Sequence, residues 1–123
     1  MKRASLIFLL TICFLLLTLT TPSAAGHDYW GALAYSSATG SYGFAYDYST
    51  KAEAINHAVG KCAARDCHAV VWFHNGCGAF ARGPHAWGWG IGDNRHAAEE
   101  TALAECRKVG GGCQIVEWAC TTR

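Results

Sequence analysis

The chain reads Gly31-Ala32-Leu33-Ala34 and, further on, Gly78-Ala79-Phe80-Ala81. Around these two stretches the likeness continues. Tyr42-Gly43-Phe44 returns as Trp87-Gly88-Trp89; Ala54, Ala58, Val59 and Cys62 return as Ala98, Ala102, Leu103 and Cys106; and Cys67, Val70 and Trp72 return as Cys113, Val116 and Trp118. The chain is two copies of one unit of about 45 residues, the spacing of a duplicated supersecondary element.

Each copy reads as strand, turn, strand, helix, strand. In the first, Tyr29 to Ser36 and Tyr42 to Tyr48 alternate and flank Ala38-Thr39-Gly40, where glycine supplies the positive φ that other residues resist. Thr50 followed by Glu53 spells a capping box, and Ala54, Ile55, Ala58, Val59 and Cys62 then share one helical stripe. Ala69 to Phe73 is a short β-branched and aromatic run, apolar on both faces, which predicts an interior strand. Asn75-Gly76 turns the chain into Gly78 to Arg82, and Trp87 to Ile91 follows as the second strand of the second copy. Asn94 caps a helix running to about Val109, Gly110-Gly111-Gly112 stops it, and Gln114 to Ala119 closes the unit.

The expected fold is therefore α+β, with two tandem ββαβ repeats over 29–77 and 78–120. They form one mainly antiparallel sheet, or two halves related by pseudo-twofold symmetry, with the two helices on one face.

The N-terminal stretch has a different character. Lys2 and Arg3 precede the apolar run Leu6 to Leu17, and small residues follow at Ser23-Ala24-Ala25. Basic end, apolar middle and small residues at the cut predict a cleaved secretory signal over 1–25, leaving a single domain over 26–123. The run is too short for a spanning helix, which needs about 20 apolar residues, so no membrane span is expected after cleavage. Cys13 lies inside that run behind bulky Ile12, which argues against lipid attachment. The expected address is secreted or periplasmic.

Charge narrows the partners. Ten Lys and Arg stand against nine Asp and Glu, and without Lys2 and Arg3 eight remain against nine. Such a near-neutral surface lacks the phosphate-neutralising field of a nucleic-acid binder. With 51% apolar and 15% charged residues the chain can also bury enough surface to fold.

Removing the leader removes Cys13 and leaves six cysteines, an even count that implies three disulfides in an exported chain. Six cysteines allow 15 pairings; in each copy one cysteine ends the helix and the next opens the following strand, so Cys62 with Cys67 and Cys106 with Cys113 can close local loops. Cys77 and Cys120 are then left to join the two halves. Zinc-thiolate and thioredoxin-like readings both lack the C-x-x-C spacing they require.

Trp30-Gly31-Ala32, Asn75-Gly76-Cys77-Gly78-Ala79, Trp87-Gly88, Ala102-Leu103-Ala104-Glu105-Cys106 and Trp118-Ala119-Cys120 together resemble the bacterial domain of unknown function 4189, over Tyr29 to Cys120. The resemblance implies an exported bacterial protein with paired ββαβ units and internal disulfides. It brings no catalytic residues. The histidine-rich character of this chain, at His57, His68, His74, His85 and His96, departs from it.

Candidates for chemistry are few. His68 and His74 share a strand face but stand about 20 Å apart at 3.3 Å per residue, too far for one ion. A zinc site would need His57, His85 or His27 to converge with one of them and with Asp28 or Asp47; scattered histidines near turns are the expectation instead. Ser36, Ser37, Ser41 and Ser49 lie in turns or at a cap, and none sits in a G-x-S-x-G elbow. Asp47 and Asp93 could be drawn as a glycosidase pair, but their places before the helices fit the helix dipoles better. Gly83, Gly88, Gly90 and Gly92 do not spell a nucleotide-binding loop. No catalytic, metal or cofactor site is expected.

The more telling pattern is alternation. Tyr42, Phe44, Tyr46 and Tyr48 alternate with Gly43, Ala45 and Asp47, as Trp87, Trp89 and Ile91 alternate with Gly88 and Gly90. Either the helices cover the rings, or they cover the small residues and leave an aromatic face to a partner. Most rings are expected in the core of so small a domain, with the remainder of Tyr42, Phe44, Tyr46, Trp87 and Trp89 forming a contact surface. The functional expectation is a small exported binding domain, such as an inhibitor or immunity-type partner of a secreted toxin or hydrolase, with another protein as its partner. The alternatives are a glycan-binding module using these rings, and a small hydrolase or metal-dependent enzyme using the histidines.

Overall fold

A computed structural model describes residues 28–123. The expected leader lies outside the described residues. The elements in chain order are β1 (Trp30–Tyr35), β2 (Tyr42–Tyr48), α1 (Lys51–Lys61), β3 (His68–His74), β4 (Cys77–Arg82), β5 (Trp87–Gly92), α2 (Arg95–Val109) and β6 (Gln114–Cys120). They are the two ββαβ units expected. Thr50 Oγ1 accepts from the Glu53 N–H at 3.2 Å, and Asn94 Oδ1 accepts from the Ala97 N–H at 2.9 Å, so both helices start at their anticipated caps. Gly110 ends α2, its N–H donating to the Cys106 carbonyl.

The strands form two antiparallel sheets of three, ordered β2-β1-β3 and β5-β4-β6. Of the two arrangements left open by the sequence, the chain adopts the two related halves, each sheet carrying its own helix, so the two helices lie on opposite outer faces and not on one shared face. β1 and β4 are the central strands and explain why. Ala32 and Ala34 point to α1, where they pack with Ala45, Ala54, Ala58 and Cys62. Ala79 and Ala81 pack in the same way with Ala98, Ala102 and Cys106 under α2. The alternate residues, Leu33, Tyr35 and Phe80, face the other way and meet Val71, Phe73 and Ala119 in a third core between the sheets. The layers run helix, sheet, sheet, helix.

β3 is an edge strand, not the interior strand expected from its apolar run. Both its faces are nonetheless occupied: Val71 and Phe73 enter the core between the sheets, while Trp72 lies on the helix side under the Lys51 ammonium, 4.4 Å from the ring centroid. The Phe73 ring occupies the space that side chains at Gly31 and Gly78 would need, so the two equivalent glycines close on one ring.

All three disulfides join the expected cysteines: Cys62–Cys67, Cys106–Cys113 and Cys77–Cys120. The last does not join the halves. Cys77 opens β4 and is the register partner of Cys120 in β6, so the bond ties two neighbouring strands of the second sheet. The halves are held together instead by the apolar core between the sheets and by the Arg82 guanidinium, which donates to the Tyr35 hydroxyl at 2.9 Å.

Candidate functional site

The small residues of β2 and β5 decide where the rings go. A Cβ at Gly43 would run into the backbone of α1 at Ala58 and Cys62, and one at Gly88 or Gly90 into the backbone of α2 at Ala98, Ala102 and Cys106. The helices therefore lie directly on the bare faces of these strands, and the aromatic faces are turned away from them. Most of the rings are not in the core, contrary to expectation. Tyr42, Phe44 and Tyr46 on β2 and Trp87, Trp89 and Ile91 on β5 are each at least 41% exposed, up to 58% at Trp87. Small residues at the helix contact bring the layers close, and the Ala-rich core needs no ring to fill it. Tyr48 differs from the rest of its row: it is partly buried and stacks on His57 with centroids 4.3 Å apart.

Each row overhangs a strand of the opposite sheet. Tyr42, Phe44 and Tyr46 stand beside Val116 to Cys120 of β6 and form a groove of about 480 Å³. Trp89 and Ile91 stand beside Val70, Val71 and Trp72 of β3 and form its smaller counterpart, about 210 Å³. On its outer side the β5 row borders Thr101, Glu105 and Val109 of α2 in a shallow depression of about 510 Å³. Phe44 and Tyr46 stack nearly parallel, 6.3 Å apart, and the Lys61 ammonium lies 5.9 Å from the Phe44 centroid.

Two carboxyl groups shape the larger groove. Asp47 adopts φ of +64° at a bulge in β2, and its carboxylate accepts from the Thr122 N–H at 2.8 Å and from the Thr122 hydroxyl. That clasp fastens the C-terminal tail across the end of the groove. Burial raises the Asp47 pKa, but the Thr122 hydrogen bonds and the Arg123 charge outweigh it and hold the group below its ordinary value. Glu117, in the wall of the groove, is different. It is 4% exposed, neither carboxyl oxygen has a hydrogen-bond partner, and burial alone pushes its pKa up to about 8. The sequence reading did not single it out. Its signal was available: with the repeats aligned, Glu117 falls on Val71.

The histidines do not converge. His57 stacks on Tyr48, His68 contacts the Asp66 carbonyl, His74 reaches Asp28 at 2.7 Å, and His96 pairs with Glu100 one turn along α2. Among the described residues no three His, Cys, Asp or Glu side chains gather as metal ligands would. No helix among them is long and apolar enough to cross a membrane.

The model of the domain of unknown function DUF4189 matches residues 30–120, which takes in every strand and both helices. The chain belongs to the DUF4189 family. Similar proteins include protein Rv1269c of Mycobacterium tuberculosis, 42% identical over 93 residues, covering 76% of this chain and 70% of that protein. Uncharacterized protein Rv1813c of the same organism is 37% identical over 92 residues, 75% of this chain and 60% of that protein. The NMR structure of Rv1813c superposes with a TM-score of 0.56 at 33% identity, over 84% of this chain and 81% of that one. The fold is thus shared with Rv1813c. Three disulfides in so small a member suit an oxidising compartment outside the cytoplasm.

Proposed function

We propose that this DUF4189 chain is a small exported binding domain that grips an extended segment of another protein along its aromatic edge strands, as an inhibitor or immunity-type partner of a secreted toxin or hydrolase would. One observation carries the reading. β2 and β5 are edge strands in equivalent places, and each presents a row of exposed aromatic or large apolar side chains. An edge strand offers backbone N–H and C=O groups for strand addition, and alternate side chains add selectivity. Tyrosine and tryptophan supply contact area at low entropic cost, and the disulfides hold that surface in shape before binding.

The test is affinity capture from an extracytoplasmic fraction with the oxidised chain, followed by hydrogen exchange of the reconstituted pair. The reading expects a saturable protein partner, slowed exchange at β2 or β5 amides, and weakening of at least tenfold on Trp87→Ala with Trp89→Ala. Selective binding on a glycan array, lost with the same substitutions, would replace it with a glycan-binding module. Hydrolysis of cell-wall material that disappears when His57, His68 or His74 is replaced would overturn it in favour of an enzyme.

A further inference from the structure

Glu117 and the β2 row form a site with its own chemistry. A buried carboxyl with two unpartnered oxygens is costly even when neutral, and the equivalent position in the other half holds valine. The groove it lines is walled on one side by Tyr42, Phe44 and Tyr46. Ring faces and a carboxylate both attract positive charge. A metal ion would need several more hard ligands than one carboxyl, and an anion would be repelled.

We propose that the groove between β2 and β6 is a binding site for a primary alkylammonium group, with Glu117 as its counter-charge and Tyr42, Phe44 and Tyr46 as its walls. The inference deepens the binding reading, on which it rests, by giving one aromatic row a ligand chemistry. Both carboxyl oxygens are shielded in the free chain, so the Glu117 side chain turns towards the groove as the ammonium group brings it three N–H donors, and the alkyl stem lies along the rings. Arrival of the cation favours the ionised carboxyl, so the proton on Glu117 passes to solvent as the ion pair forms. The other charged neighbours are Arg82 on β4, held by Tyr35 on β1; Asp47 on β2, held by Thr122 and beside Arg123; and Lys61 at the end of α1, whose ammonium lies 5.9 Å from the Phe44 centroid and so competes with the ligand for that ring. Tyr42 and Tyr46 line the groove, while α2 packs on the other side of the sheet and presents Arg95 to Trp118.

The experiment is calorimetric titration of the oxidised full chain with n-butylammonium, with cadaverine and with a lysine-containing blocked tripeptide, in two buffers of different ionisation heat. n-Butanol and the same tripeptide acetylated on lysine serve as neutral controls. Saturable binding is expected with release of about one proton per probe at pH 7, almost none at pH 9, and affinity about tenfold higher at pH 9. Glu117→Gln should weaken it at least tenfold, and Tyr46→Leu should weaken it without changing the proton count. Preference for the tripeptide would identify a lysine side chain as the source, and preference for cadaverine a free amine. Equal binding of n-butanol, unchanged binding by Glu117→Gln, or no saturation with any ammonium probe overturns the proposal. If that happens while Trp87 and Trp89 still govern capture of a protein partner, the site falls and the broader reading stands.

Discussion

Glu117 and Val71 occupy one position of the fold in its two halves. Val71 pairs across the strands with Leu33, and Glu117 pairs with Phe80, both pointing into the core between the sheets. Val71 is 2% exposed there and Glu117 4%. A duplicated unit that can place a hydrocarbon at this point and carries an acid instead gives up stability at that point. The consequence should be readable in how the fold responds to pH.

With its pKa at about 8 in the fold and near 4.5 in the unfolded chain, Glu117 binds its proton more tightly when folded. A raised pKa contributes stability that is fully present below pH 4.5 and is lost as pH rises towards 8. Asp47 and Asp66 act oppositely. Both are held below their ordinary values, Asp66 by hydrogen bonds from Ser36 and the Ala38 N–H, so their contribution is present above pH 3.8 and is lost as pH falls further. Urea midpoints followed by tryptophan fluorescence should therefore be highest near pH 5 and decline towards pH 8, where the loss from Glu117 reaches on the order of 4 kcal/mol. Glu117→Gln should flatten that decline. A wild-type midpoint that does not fall between pH 5 and 8 would show Glu117 to be ionised in the fold.

Two glycines test the closeness of helix and sheet. Gly60 lies inside α1 with open space around a prospective Cβ, so Gly60→Ala should stabilise the chain by about 0.5 to 1 kcal/mol. Gly88 lies against the α2 backbone at Ala102 and Cys106, which cannot step aside as a side chain can. Gly88→Ala should cost about 2 kcal/mol or more, of the kind seen when a close-packed contact is forced apart. Thermal unfolding of the two variants should move in opposite directions.

These contrasts mark what was legible in the chain and what was not. Duplication, helix caps at Thr50 and Asn94, and strand limits followed from local chemistry, because each depends on residues adjacent in sequence. The number of sheets did not: Gly-Ala-Leu-Ala alternates identically whether its alanines or its Leu33 meet the helix. The same ambiguity misplaced the rings, since alternation says that Trp87 and Trp89 share a face and not which face is covered. Glu117 reads by itself as an ordinary solvent-facing acid, and in the sequence only its alignment with Val71 marks the position as an inward one.

The disulfides should differ in worth. Closing a loop of 43 residues removes more freedom from the unfolded chain than closing one of 5, so Cys77–Cys120 should contribute about 4 kcal/mol and Cys62–Cys67 about 2. Paired alanine substitutions at each bond, compared by urea unfolding, check the order. Because Cys77–Cys120 lies within the second sheet, its removal should speed amide exchange in β4 and β6 while leaving β1 and β3 protected. Equal loosening of all four strands would indicate that this bond holds the halves together after all.

The contact of Phe73 with Gly31 and Gly78 binds the two repeats most directly, because one ring fills space left bare by both. Phe73→Ala should cost about 3 to 5 kcal/mol, since the sheets cannot collapse onto the void without breaking their own packing. Gly78→Ala should cost about 1 to 3 kcal/mol on its own, because its Cβ would overlap the ring and press on Val71. In the double variant the methyl enters space the ring has vacated, so the combined loss should fall short of the separate losses by about 1 kcal/mol or more. Urea unfolding of the wild type, the two single variants and the double variant measures that coupling. Strict additivity would mean that Phe73 does not lie against Gly78, and the packing of the two halves would have to be redrawn.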